Sequence, residues 1–347
     1  MSQESFNWFI ERAVEYLLQP ISSWENVTSS LESYLGDWTS LTHPTGWWYW
    51  ITSYLIAWAL LIRSKRKGDV PSGVSFLQFA FPREVWRHPS AVLDYKFVAF
   101  HRAMVVLIYA PLMLGAVALF SKGVAQFVPS GLSADYLIGV PFGYISFTLI
   151  LFLAIDFGVF LVHYLLHRIP LLWHFHKVHH SAEVLTPITE YRQHPIEYFL
   201  YSAAQVLAAQ LVTGVYVVLN HENAHLMTLF GINVFVILFN SCAYQLRHSH
   251  IWFSYGPILD YFLISPAHHQ IHHSIDPRHF NRNFGVTFAI WDALAGSLYV
   301  PQCREKLQFG LPDENPADYS SIAKLYVLPF KKAVGSFQSR MLPRRML

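Results

Sequence analysis

Five stretches of this 347-residue chain run without Asp, Glu, Lys or Arg for long enough to cross a bilayer: 46–62, 103–121, 136–155, 198–221 and 223–246. A membrane span takes roughly 20 apolar residues. The last two stretches are separated only by a few polar residues around Glu222, which predicts a tight helical hairpin. Composition agrees with this pattern. Hydrophobic residues make up 53% of the chain and charged residues 13%, about half the charged share usual in soluble proteins. The expected architecture is all-α: an integral-membrane bundle of about four to five transmembrane helices with a histidine-rich helical cap on the cytosolic side.

Loop charge orients the bundle. The segment before Gly46 carries Glu4, Glu11, Glu15, Glu25, Glu32 and Asp37 against Arg12, whereas the loop after the first stretch opens Arg63-Ser64-Lys65-Arg66-Lys67 and adds Arg83, Arg87 and Lys96. The positive-inside rule then puts the N-terminus outside and that loop in the cytosol. Counting spans onward places both 163–196 and 247–347 in the cytosol. The first twenty residues lack the basic start and apolar run of a cleavable signal. Phe6, Phe9, Ile10, Val14, Leu17 and Leu18 recur at helical spacing and predict an amphipathic helix at the outer surface. No linker or repeat divides the chain. We expect an extracytosolic segment 1–45, two spans and a basic loop over 46–135, a catalytic region 136–300, and a cytosolic C-terminal tail 301–347.

Histidine is the anomaly: there are 19, many of them between 163 and 279. His163 and His167 stand four apart, which stacks their imidazoles on one helix face about 6 Å apart along the axis. His176, His179 and His180 form an H-x-x-H-H box, and His269, His272 and His273 repeat it. His176 and His179 are expected to share a helical face, with His180 projecting about 100° away, so one such box can serve two metals. All-nitrogen ligation suits iron, copper or zinc. Two ions at about four to five ligands each would use about eight to ten histidines. The boxes supply eight, and His194 and His248 lie in suggestive places. The two cysteines build neither a disulfide framework nor an all-cysteine metal site. A net charge of +2 gives no reason to expect nucleic acid.

Asp156-Phe157 leads into His163-x3-His167, followed by His176-x2-His179-His180-Ser181 and Arg192-Gln193-His194-Pro195-x-Glu197. His248-Ser249 comes next, then Ser265-Pro266-Ala267-His268-His269-Gln270-Ile271-His272-His273-Ser274, Asn281-Arg282-Asn283-Phe284-Gly285 and Ile290-Trp291-Asp292. In content and order, over roughly 140–300, this series resembles the fatty acid hydroxylase/sterol desaturase superfamily of membrane di-iron enzymes. The resemblance implies two non-haem iron ions, O2 as co-substrate, and His194 and His248 as ligands beside the eight box histidines. Where the family often shows Asn, this chain has His250, which leaves His248 and His250 as alternatives. The implied reaction is hydroxylation of a C–H bond in a fatty acyl, sterol or related lipid, with desaturation at the same centre as the alternative.

Each ligating imidazole needs an acceptor for its second N–H. Asp156, Glu190, Glu197, Asp260 and Asp292 are the candidates, although Glu190 and Asp292 also read as ordinary surface or capping carboxylates. Asn283 is expected to position a water or a histidine, and His174, His268 and His279 to lie beside the ligands rather than among them. The chain carries no dinucleotide loop, Fe–S cysteine run or fused haem module, so two electrons are expected from a separate cytochrome b5-like protein, ferredoxin or reductase. A bis-histidine haem protein would need single histidines on facing helices near mid-membrane. A transporter would place its ionisable ligands inside the spans. The boxes here lie beyond the span ends.

Overall fold

In the computed structural model the described residues are 23–26, 28–29, 32, 46–105, 140–220, 226–229 and 232–341. The N-terminal amphipathic helix and the second expected span beyond Val105 lie outside them. The helices are α1 (Trp47–Lys67), α2 (Phe76–Ala80), α3 (Arg83–Trp86), α4 (Pro89–Met104), α5 (Val140–Arg168), α6 (Pro170–His180), α7 (Pro195–Asn220), α8 (Val234–Asn240), α9 (Pro266–His272), α10 (Ile290–Ala295) and α11 (Ile322–Met341). The expectation of a helical protein holds. The one ladder among the described residues is a two-residue antiparallel pair, β1 (Thr228–Leu229) with β2 (Ile232–Asn233).

Two helices among the described residues are long and apolar enough to cross a membrane, over Gly143–Arg168 and Pro195–Val217. They match the third and fourth expected spans. The expected fifth span is corrected. Within 226–246 the chain forms the β1–β2 pair, the seven-residue α8 and a 3₁₀ turn at Tyr244–Leu246 instead of one long helix. Absence of charge does not secure a helix here, because Asn233 caps α8 through Phe235 N–H and Ala243 takes a left-handed conformation (φ 71°), which interrupts helical hydrogen bonding.

The chain forms two compact units. One comprises 1–50, 99–158 and 201–242. Inside it Gly158 of α5 approaches α7: a Cβ there would lie 3.4 Å from the Ala204 carbonyl oxygen, the close helix contact that small residues permit. Thr148 ties α5 to the β1–β2 segment. Its hydroxyl accepts from Met227 N–H at 2.8 Å, and its carbonyl accepts from Asn233 Nδ2 at 3.2 Å.

The other unit comprises 51–98, 159–200 and 243–347. Leu93, Phe97, Val178, Tyr319 and Leu325 form one apolar core, and Ala57, Ala243, Leu246 and Ile251 form a second. The segment expected as a C-terminal tail contains α11, which packs along α6: Phe175 meets Phe330 at 5.2 Å between ring centres, and His174 Nε2 is 2.8 Å from Ser336 Oγ. Arg192 and Asp94, both buried, pair at 2.8 Å. Asp94 also accepts the Thr189 hydroxyl at 2.7 Å, and Arg192 reaches the Tyr319 carbonyl at 3.3 Å. These bonds fix the 3₁₀ segment Pro187–Tyr191 and the turn leading into α7.

Candidate metal centre

All the box histidines fall in the second unit and gather into two adjoining groups. His163, His167, His176, His180 and His272 form one; His179, His248, His269 and His273 form the other. In each group every residue offers one ring nitrogen, and these nitrogens lie within 4.8 Å of one another. The last turns of α5 contribute His163 and His167, α6 its box, and α9 with its C-cap residue the third box. Pro170 and Pro266 open α6 and α9 at a first-turn position that needs no N–H. His176 and His179, expected on one face, part here: His176 joins His180, four residues on and nearly in line along the helix, while His179 joins the other group. His180 and His273 stack at 4.5 Å across the boundary between groups.

The nitrogen geometry fits metal ions better than hydrogen bonds. Nε2 of His248 lies 2.9, 3.1 and 3.2 Å from Nε2 of His269, His273 and His179. Nε2 of His176 is 3.2 Å from those of both His163 and His180. An imidazole nitrogen offers one hydrogen or one lone pair, so it cannot satisfy three neighbours at once. Two nitrogens bound at right angles about 2.1 Å from a shared ion stand about 3 Å apart. Among the described residues the buried Nε2 atoms of His167 and His272 have no hydrogen-bond partner, as a nitrogen reserved for a metal requires.

Outward nitrogens set the tautomers. Nδ1 of His163 lies 2.7 Å from the Phe284 carbonyl, and Nδ1 of His272 lies 2.8 Å from that of Arg282. Nδ1 of His176 is 2.9 Å from Glu197 Oε1, both groups buried. With Nδ1–H donating outward, each Nε2 keeps its lone pair for the interior. Phe284 is itself held by Asp292, whose carboxylate accepts its N–H at 2.9 Å and that of Gly285 at 2.7 Å. Gly285 has no room for a side chain: a Cβ would meet the Phe288 carbonyl at 2.8 Å and Ile264 at 2.9 Å. The Phe284 ring covers His163, His167 and His272, and Trp173 covers His167 and His180; together they exclude water.

Burial first, and neighbouring imidazoles second, hold His176, His180, His269 and His273 well below the ordinary 6.5. Burial likewise brings His179 down to about 3 and His272 to about 4. The imidazoles are therefore neutral, as ligands must be. Glu190 lies with Oε2 4.0 Å from His248 Nδ1 and accepts the Tyr244 hydroxyl; burial lifts its carboxyl to about 7.

One expected ligand stands apart. His194 belongs to neither group, because both ring nitrogens already have backbone partners: Nε2 the Tyr326 carbonyl at 3.1 Å and Nδ1 the Ile196 N–H at 3.1 Å. Between the alternatives at 248 and 250, the structure brings His248 into the cluster. His250 Nε2 bonds the Phe79 carbonyl at 2.7 Å. His268 caps α9 with Ser265, and Asp260 stands 3.7 Å from it. His279 faces Glu305 at 3.1 Å. Asn283 (φ 56°) clasps Tyr299 with its amide rather than reaching a ligand. Asp156 is buried on α5. The Phe284 and Arg282 carbonyls and the Trp173 and Tyr244 side chains are not foreseeable from residue type, since every residue carries a carbonyl.

The fatty acid hydroxylase family model matches residues 148–297. Alkylglycerol monooxygenase of Xenopus tropicalis is 30% identical over 161 residues, 46% of this chain and 32% of that protein. Delta(7)-sterol 5(6)-desaturase of Eremothecium gossypii is 29% identical over 42% of this chain and 35% of that protein. Ornithine lipid hydroxylase OlsE of Rhizobium tropici is 28% identical over 48% of this chain and 46% of that protein. The chain thus aligns with about a third to a half of the length of these relatives. No solved structure matches it.

Proposed function

We propose, from the match of residues 148–297 to the fatty acid hydroxylase family model, that this chain is a membrane-bound non-haem di-iron oxygenase that hydroxylates a lipid C–H bond. The observation carrying the reading is the convergence of nine imidazoles into two adjoining groups whose nitrogens cannot be satisfied by one another. Two iron ions held there would supply the O2-derived oxidising power that an unactivated C–H bond requires and that no side chain offers.

The chain's own residues do the rest. His163, His167, His176, His180 and His272 would hold one ion, and His179, His248, His269 and His273 the other. Glu197 and the Phe284 and Arg282 carbonyls keep the ligand rings in register. Phe284 and Trp173 keep water from the rings. Overall, one oxygen atom enters the lipid and the other leaves as water, with two electrons and two protons taken up. The electrons come from a separate donor protein. The basic loop that follows α1 belongs to the same unit as the histidine groups, which supports the cytosolic face of an inner or endoplasmic-reticulum membrane as the side of the centre. Support for a lipid substrate is the run of relatives named as an alkylglycerol monooxygenase, a sterol desaturase and an ornithine lipid hydroxylase.

Expression with iron, metal analysis of the purified chain and mass spectrometry of lipid extracts test this reading. Two bound irons are expected, with a lipid gaining one oxygen in a manner abolished by His272→Ala. Loss of two hydrogens instead would identify a desaturase. Product formation unaffected by His272→Ala would overturn the ligand assignment.

A further inference from the structure

One face of the second unit reverses the usual order of polar and apolar residues. Ile258, Leu259 and Phe262 are 72%, 50% and 60% exposed, and Ile290 and Leu294 of α10 are 45% and 77% exposed. They belong to one surface. Leu263 bridges Phe288, Ala289 N–H donates to the Phe262 carbonyl at 2.9 Å, and Ile264 N–H donates to that of Thr287 at 2.9 Å. The carboxylates of these same segments turn inward. Asp260 is buried, accepting the Ser254 hydroxyl and the Tyr255 N–H, and Asp292 is buried on the Phe284–Gly285 turn. A water-facing surface does the opposite. On α10 the spacing explains it: Ile290 and Leu294 are four apart on one face, and Asp292 projects from the other.

We infer that this face, built from Ile258, Leu259, Phe262, Ile290 and Leu294, rests in the apolar margin of a phospholipid layer. Lipid fits better than water because no exposed side chain on the face carries charge, and a contiguous apolar patch of this kind marks a contact surface. A cation at the rim singles out lipid among apolar occupants. Arg282 donates to the Gly296 carbonyl at 3.1 Å, just past the end of α10, which stations a guanidinium at the border where lipid phosphates lie. Tyr261, 52% exposed beside the patch, has the amphipathic ring that favours the same depth. The inner side of α10 holds the turn whose carbonyl orients His163, so the lipid-facing surface and the histidine groups are two sides of one thin layer. The inference does not depend on which metal the histidines hold.

Nitroxide scanning of the full chain in phosphatidylcholine–phosphatidylglycerol vesicles tests it. Cys242→Ser and Cys303→Ser remove the exposed thiols, and Leu259→Cys, Leu294→Cys or, as the reference, Asp313→Cys then carries the label. We expect the ratio of collisions with O2 to collisions with a water-soluble nickel chelate to be several-fold higher at 259 and 294 than at 313. Equal ratios at all three positions would overturn the inference in favour of water. Labels at 259 and 294 that are immobilised and shielded from both reagents would overturn it in favour of a protein partner or a second copy. Neither readout involves catalysis, so failure here is distinguishable from failure of the oxygenase reading.

Discussion

Glu197 presents Oε1 2.9 Å from Nδ1 of His176, and neither side chain reaches solvent. A buried carboxylate at this position orients the imidazole whose Nε2 lies nearest both His163 and His180. Glu197→Ala removes that acceptor, and metal affinity should fall by about 10–100-fold. Glu197→Gln keeps an acceptor oxygen and should retain most of it. Equilibrium metal titration of the two variants checks this, and equal affinities would argue against an orienting role.

Single alanine variants separate His248, His250 and His194, the candidates outside the boxes. His248→Ala should lower bound metal towards one ion per chain. His250→Ala should leave two, because that ring serves the Phe79 carbonyl. His194→Ala should also leave two but lose about 1 kcal/mol of stability with its cap on the Ile196 N–H. Metal content and thermal unfolding in detergent measure both effects.

Acid should act through the buried imidazoles. The unfolded chain takes up protons near 6.5, whereas His272 resists until about 4 and His179 until about 3. The folded state therefore binds fewer protons than the unfolded one in that interval, and stability falls as pH falls. For metal-stripped protein we expect an unfolding temperature that is flat from pH 7 to 8 and drops steadily below about 6.5. In loaded protein, protons compete for the same nitrogens and metal should leave over the same window. A flat profile down to pH 4 would contradict this.

Gly285→Ala places a methyl group 2.8 Å from the Phe288 carbonyl and 2.9 Å from Ile264. Backbone and core must both shift, at about 1–3 kcal/mol. The Phe284 carbonyl moves with them, so the variant should lose metal as well as stability. A stable variant with full metal content would show that the turn does not position His163.

Arg192→Ala leaves Asp94 buried without its partner and should cost about 3–5 kcal/mol. Replacing the pair together, as Arg192→Met with Asp94→Leu, should cost much less. Comparing unfolding midpoints of the single and double variants decides whether the pair acts mainly by mutual neutralisation.

The local patterns in the chain determined a great deal. Helical spacing makes His163 and His167 share a face, because side-chain direction in a helix follows residue number, and it lets one H-x-x-H-H box serve two sites, although which of His179 and His180 joins His176 was settled by the fold. Charge-free length marks α5 and α7 as candidate spans. Tertiary structure decided what depends on contacts between distant segments. It partitioned nine histidines into groups of five and four, set His194 aside through a carbonyl 132 positions away, and chose His248 over His250. It also broke the fifth apolar stretch, where uncharged residues suit a β pair and short turns as readily as a span, and folded the expected tail along α6. Those outcomes rest largely on backbone carbonyls and ring packing, which every residue type can offer and no sequence pattern announces.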